Sequence, residues 1–141
     1  MSQASDPARL HPSVTVHFCA PDRRYEPLAP IEVRYAVELP AGQVARTVER
    51  SILWYTEGKG EEDIGVHHFE RITDRATVEA DDGSFACRLP ASPLSYEGVI
   101  VKIRWCARIR LFFATSRDFV SEHVFEMGTL PPARPVVSEG P

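Results

Sequence analysis

Four cationic side chains alternate along one predicted strand and could bind an anion. Lys102, Arg104, Arg108 and Arg110 share one face of the segment 99–112, whose other face is apolar. Same-face residues of a strand stand about 6.6–6.8 Å apart, so these cations form a stripe about 27 Å long. A phosphorylated or acidic partner, or a charged lipid surface, would suit such a stripe.

The alternative interpretation of these cations is pairing with carboxylates on neighbouring strands. The candidate carboxylates are Glu32, Glu38, Glu49 and Glu122. Exposed pairs of this kind contribute little each but are common. The chain has 16 Lys and Arg against 20 Asp and Glu, a net charge of -4. This acidity favours pairing and is not typical of nucleic-acid binding.

The most distinctive polar sequence is SILWYTEGKGEEDIGVHHFERI, residues 51–72. Its charged and imidazole side chains are the predicted surface for a protein partner: Glu57, Lys59, Glu61, Glu62, Asp63, His67 and His68. Gly58-Lys59-Gly60 lacks the GxxxxGK[ST] pattern of a phosphate-binding loop, and the acidic residues after it would repel phosphate. Two glycines predict a turn with positive φ instead.

Imidazole and carboxylate groups in this segment could also hold a metal ion. In a regular strand, however, His67 and His68 point to opposite faces and cannot share a metal without a bulge. The three cysteines have no CxxC spacing, and their odd number does not indicate a disulfide framework. We therefore predict no metal and no cofactor.

Catalytic arrangements are poorly represented in the sequence. The GxSxG pattern of a serine hydrolase is missing. Cys106 lies among the cations of segment 99–112, which would lower the pKa of its thiol and raise its reactivity. No histidine stands in the sequence context of an evident base. We predict that the protein is not an enzyme; a thiol or hydrolytic enzyme using Cys106 or a histidine is the least favoured alternative.

A period of two dominates the body of the chain, which indicates strands. Predicted strands cover residues 14–19, 31–37, 46–56, 66–72, 76–80, 85–89, 99–112 and 119–125. Turn residues separate them, including Asp81-Asp82-Gly83-Ser84. We expect Trp54, Trp105, Tyr35 and Phe85 to pack in the core. These features predict an all-β antiparallel sandwich of seven to eight strands.

The length of the chain, 141 residues, suits one domain of this kind. We assign residues 13–129 to the domain, 1–12 to a disordered arm and 130–141, with four prolines, to a flexible tail. The sequence has no signal peptide and no apolar run near the roughly 20 residues of a membrane span. These features predict a cytoplasmic protein with no integral membrane segment.

The segment GSFACRLPASPLSYEGVIVKIRWCARIRL, residues 83–111, resembles the arrestin-like superfamily. In that family a strand ends in Leu-Pro, and a loop with Pro and Ser leads through a Gly turn to a long strand. The matching positions are Phe85, Leu89, Pro90, Pro93, Ser95, Gly98 and Trp105. The opening strands at 14–18 and 31–37, the Tyr25-Glu26-Pro27 turn and the closing strand at 119–125 are also similar, with Leu28 where the family usually has Gly.

The resemblance implies an immunoglobulin-like sandwich that acts as an adaptor or scaffold without catalysis. Typical members have two such domains, whereas this chain has room for one. The basic pair that senses receptor phosphates in the family is missing from residues 14–19, so phosphoreceptor recognition is not implied. A lone domain could self-associate through edge strands or join a larger assembly of proteins.

Overall fold

The computed structural model describes residues 10–128, which form two β-sheets and one short helix. The predictions for residues 1–9 and 130–141 lie outside this range. In chain order the elements are β1 (Ser13–Phe18), β2 (Arg24–Tyr25), β3 (Pro30–Glu38), β4 (Ala45–Gly58), β5 (Ile64–Ile72), α1 (Arg75–Glu79), β6 (Asp82–Arg88), β7 (Tyr96–Glu97), β8 (Val101–Phe113) and β9 (Phe119–Met127).

The smaller sheet has the strand order β1-β3-β6, and the larger has the order β2-β9-β8-β4-β5 with β7 also paired to β8. All pairings are antiparallel except the two-residue contact of β2 with β9. The all-β sandwich is confirmed. Its seven longer strands agree with the predicted number, and the two-residue strands β2 and β7 were not predicted.

The core lies between the inner faces of the two sheets. Alternate residues of β3, such as Ile31 and Val33, pack against alternate residues of β8, such as Trp105 and Ile109. The Trp105 indole N–H donates to the Pro93 carbonyl oxygen at 2.7 Å, which fixes the proline-containing loop against the core. The period of two thus identified the inner faces correctly, although Trp54 is only half-buried.

The predicted strand at 76–80 is wrong, because this segment is the helix α1. The Asp74 side chain caps the helix by accepting hydrogen bonds from the Thr77 backbone N–H at 3.1 Å and its hydroxyl at 2.8 Å. Arg75 and Glu79, four residues apart, form an ion pair at 3.0 Å. Val78 points into the core. A single helical turn with one buried residue has the same hydrophobic pattern in the sequence as a short strand.

The predicted turn at residues 81–84 is also wrong, because β6 begins at Asp82. Asp82 lies opposite Ala36 and Gly83 lies opposite Tyr35 in the smaller sheet. A Cβ atom at position 83 would stand 2.5 Å from the Tyr35 hydroxyl oxygen. Gly83 makes room for the side chain of Tyr35 on the neighbouring strand, which is one reason that glycine occurs within strands.

Leu28 has a left-handed backbone, with φ of 68°. This is the position at which the arrestin-like pattern usually has Gly. The conformation is fixed by its neighbours, because the Leu28 N–H donates to the Pro90 carbonyl at 3.2 Å and its own carbonyl accepts from Arg88 at 2.9 Å. A left-handed conformation is strained for a residue with a Cβ atom. Leu28 therefore holds a strained turn that glycine would relax.

We expect Leu28→Gly to raise the free energy of unfolding by about 0.5–1 kcal/mol, because relief of strain exceeds the extra chain entropy of glycine. Urea denaturation measures this change. Val44→Gly is the matched control, since Val44 is a similarly exposed apolar loop residue without a positive φ. If Leu28→Gly destabilised the protein as much as Val44→Gly, the turn would not be strained.

Candidate functional site

The loop between β4 and β5 carries most of the side chains predicted to bind a partner. The hairpin is closed by two hydrogen bonds, from the Thr56 N–H to the Asp63 carbonyl at 3.0 Å and from the Asp63 N–H to the Thr56 hydroxyl at 2.8 Å. Beyond this closure Lys59, Glu61 and Glu62 are exposed. Gly58 and Gly60 have positive φ, as the turn prediction required.

The turn between β7 and β8 lies beside this loop. The Lys59 N–H donates to the Ile100 carbonyl oxygen at 3.3 Å, and a Cβ atom at position 58 would stand only 2.1 Å from the same oxygen. Gly58 thus permits a close approach that another residue would block. Val99 and Ile100 occupy the turn with exposed fractions of 83% and 69%.

The sequence placed Val99 on the apolar inner face of a strand, and this was wrong. The strand begins at Val101, and the Gly98 N–H donates to the Val101 carbonyl at 3.0 Å to close the turn. Two large apolar side chains therefore project at the end of the larger sheet next to the acidic loop. We call this surface the acidic tip: Lys59, Glu61, Glu62, Asp63, Val99 and Ile100.

Glu57 is not free at this tip, because it is paired with Arg104 on β8. His67 and His68 lie farther along β5, on the face that packs toward the smaller sheet. The His67 imidazole N–H donates to the Arg88 carbonyl at 2.6 Å, and the His68 ring stacks on Phe85 at 6.2 Å between centroids. The two histidines therefore form a group separate from the tip.

The expectation that His67 and His68 point to opposite faces is wrong. Leu53 of β4 lies opposite Val66, whereas Ile52 lies opposite His68, so His67 is an extra residue in a β-bulge. The bulge lets both imidazoles face β6. Among residues 10–128, however, no three His, Cys, Asp or Glu side chains converge on a metal-sized site.

A polar cluster that the sequence analysis missed lies between the sheets. Arg50 is 8% exposed and sits on the inner face of β4, in line with Val48 and Ile52. Its guanidinium is paired with Glu70, donates to the Tyr35 hydroxyl at 3.4 Å and lies 5.4 Å from the Phe85 ring centroid. The parity of Arg50 with buried residues was the signal that could have revealed the cluster.

Glu70 is the acid of this cluster. Burial alone would raise the pKa of its carboxyl, but hydrogen bonds from His68 and Arg50 hold the pKa below its ordinary value. The His68 imidazole nitrogen lies 2.6 Å from the second carboxylate oxygen. Both oxygens of Glu70 are thus engaged, which suits a structural ion pair better than a catalytic acid.

The four cations of β8 all have carboxylate partners. Arg104 pairs with Glu57 and with Glu97 at 3.0 Å, and Lys102 also reaches Glu97 at 3.5 Å. Arg108 pairs with Glu122 at 2.6 Å, and Arg110 with Asp118 at 2.6 Å. Of the carboxylates considered from sequence, Glu122 is such a partner. Glu49 pairs with Arg71, and Glu32 and Glu38 lie on β3 in the other sheet.

The expectation that neighbouring cations lower the pKa of the Cys106 thiol is wrong. Its side chain is completely buried on the outer side of the larger sheet, where it lies opposite Leu53 and Val124. Burial, followed by the nearby charge of Glu122, raises the pKa of the Cys106 thiol to about 12, and the opposing effect of Arg108 is smaller. The thiol is therefore protonated and shielded, unlike a nucleophile.

A Ser121–His123 pair and a cleft at the far end of the larger sheet lack the features of a catalytic site. The Ser121 hydroxyl lies 2.5 Å from a His123 ring nitrogen, but burial, followed by the charge of Arg23, lowers the pKa of the imidazole. A catalytic histidine is oriented by a carboxylate instead. A cleft of about 560 Å3 opens at the other end of the larger sheet, and its lining residues include neither histidine nor cysteine.

We expect Glu70→Gln to lower the free energy of unfolding at pH 7 by about 2–3 kcal/mol, because it leaves the buried Arg50 without a counter-charge. Urea denaturation of both proteins gives the difference. The matched control is Glu49→Gln, since Arg71, the partner of Glu49, is exposed. The control should cost less than about 1 kcal/mol.

The same cluster predicts a pH dependence. The folded pKa of Glu70 lies below its ordinary value of 4.5. Its contribution to stability is therefore present above that value and is lost as the pH falls through the folded pKa. The stability difference between wild type and Glu70→Gln should shrink in this acidic range. A difference that stayed constant down to pH values well below the folded pKa would contradict the ion pair.

Comparison with known proteins supports the architecture. No family model matches the sequence, and no curated protein matches it. The crystal structure of Spo0M, a sporulation control protein from Bacillus subtilis, matches with a TM-score of 0.62 at 13% sequence identity. The match covers 83% of this chain and 49% of Spo0M, so the chain spans about half the length of that protein. Spo0M has an arrestin-like fold. The described part of this chain therefore has the arrestin-like β-sandwich fold that its sequence resembles.

Proposed function

We propose that this chain is a non-catalytic adaptor or scaffold module that binds another protein through its acidic tip. The observation that carries the proposal is the exposure of Val99 and Ile100 beside an acidic loop. Large apolar side chains rimmed by charged groups are typical of protein contact sites. The fold is compatible with the same role. Spo0M, which shares this fold, is a sporulation control protein, and this similarity is compatible with a non-catalytic regulatory function for the chain.

The charges of the acidic tip indicate the kind of surface that the partner should carry. Within residues 10–128, the carboxylates of Glu61, Glu62 and Asp63 have no cationic partner, whereas those of Glu57 and Glu97 are paired. The free carboxylates outnumber the single cation, Lys59. A partner that offers Lys or Arg side chains around an apolar contact would complement this surface.

Binding of an anionic ligand or membrane surface by the basic stripe of β8 is not favoured. All four cations are already paired with carboxylates, so an anion would have to displace these partners.

No helix among the described residues is long and apolar enough to cross a membrane. A cytoplasmic location and self-association through an edge strand remain parts of this proposal.

Affinity capture from native cells, with the full chain as bait and quantitative mass spectrometry, tests the proposal. We expect Glu61→Lys with Glu62→Lys to lower recovery of the specific partner by about tenfold, since reversed charges repel its basic groups. Val99→Ser with Ile100→Ser should lower recovery by removing the apolar contact. The captured protein is then purified and titrated against each variant to measure affinity directly.

The matched control carries the same change of charge elsewhere, as Asp81→Lys with Asp82→Lys. Both aspartates are exposed and lie away from the tip, because Asp82 begins β6 of the smaller sheet and Asp81 directly precedes it. This control should retain the partner. Equal recovery by all three variants would show that the acidic tip is not the contact.

A further inference from the structure

One edge of the larger sheet is left open by the described residues. β5 pairs with β4 on one side, and no other strand within residues 10–128 pairs with it. Ile64, Val66 and Phe69 project from its outer face with exposed fractions of 56%, 56% and 53%. A long edge strand with exposed apolar side chains is a template for pairing with another chain.

The faces of β5 follow from its pairing with β4. Ile64, Val66, Phe69 and Arg71 lie opposite outer-face residues of β4, such as Leu53 and Glu49. Gly65, His68 and Glu70 lie opposite inner-face residues, such as Ile52 and Arg50, and His67 contacts β6 and therefore also faces inward. The bulge gives residues 64–71 the order out, in, out, in, in, out, in, out.

This order is the same when it is read in either direction. In an antiparallel pair, residues opposite each other point to the same face. When two copies of residues 64–71 are aligned antiparallel about a centre between His67 and His68, every outward residue meets an outward residue. We propose that the chain forms a two-fold dimer in which β5 pairs with β5 of a second copy in this register.

The bulge sets the register in which β5 can pair with a second copy without a further irregularity. A regular strand can pair along the whole of β5 only by placing one residue opposite the His67–His68 pair, as Ile52 of β4 does. A second copy carries the same bulge at the same place, so the two irregularities meet on the symmetry axis. Isologous contacts of this kind are usual in homodimers.

The side chains that meet across the axis also suit each other. Val66 lies opposite Phe69 of the second copy, and symmetry repeats this apolar pair. Ile64 meets Arg71 of the second copy, whose methylene groups can cover it while its guanidinium stays paired with Glu49 at 2.6 Å. The eight paired residues would exchange about eight backbone hydrogen bonds.

This inference specifies the self-association included in the proposed function, and it does not involve the acidic tip. Sedimentation equilibrium of the full chain from about 1 µM to about 1 mM covers the range of weak interfaces. We expect wild type to dimerise and Val66→Lys to weaken the dimer by about tenfold or more, since both symmetry-related pairs of Val66 with Phe69 are lost. Val120→Lys is the matched control, because Val120 is an exposed valine on the same outer face of the larger sheet but lies on β9. This variant should dimerise like wild type.

Disulfide formation tests the register. With Cys19→Ser as the background, a mixture of Val66→Cys and Phe69→Cys chains places the two introduced thiols directly opposite each other across the axis. Val66→Cys alone places its two copies about 10 Å apart along the strands. The mixture should therefore form cross-linked dimers much faster than Val66→Cys alone.

A wild-type chain that stays monomeric over the whole range would overturn the proposal and leave the open edge to a different protein. Dimerisation that Val66→Lys and Val120→Lys weaken equally would also overturn it, and fast cross-linking of Val66→Cys alone would overturn the register. None of these results would affect the binding of a partner at the acidic tip, which affinity capture measures separately.

Discussion

The pairing of β4 with β8 is the constraint on which the rest of the structure depends. These are the two longest strands, and their register places Trp54 opposite Trp105. One face of this ladder supplies much of the apolar core, and the other carries the ion pairs of the basic stripe. At its end Gly58 lies opposite Val101, so the two loops that continue from these residues must emerge side by side. The acidic tip is a consequence of that register.

The same ladder explains why charged residues in the sheet do not imply chemistry. On the outer face, arginines of β8 are neutralised by carboxylates of β4, β7, β9 and the loop after β8. On the inner face, Arg50 is held by Glu70 and lies against Phe85. The buried pair of Arg50 with Glu70 costs desolvation energy, so its presence is weak evidence of net stabilisation, and the exposed outer-face pairs contribute little each. At the acidic tip, Glu61, Glu62 and Asp63 have no cationic partner among residues 10–128 and lie beside exposed Val99 and Ile100, which is why the proposed contact is there.

The sequence predicted features that depend on neighbouring residues in the chain. Alternation identified the inner faces of β3 and β8, and Gly58 and Gly60 predicted a turn with positive φ. Features that depend on strand pairing could not be predicted. The bulge at His67 appears only when β5 is aligned with β4, and the burial of Cys106 depends on side chains of neighbouring strands. The helix α1 was missed because one turn has too few residues for its period to differ from that of a strand.

The proposed contact can be located directly by amide hydrogen exchange of the full chain, alone and bound to the protein that it captures from native cells. We expect slower exchange on binding at residues 57–63 and 98–101, with exchange in the basic stripe of β8 unchanged. Protection confined to residues 102–110, with none at the two loops of the acidic tip, would contradict this expectation.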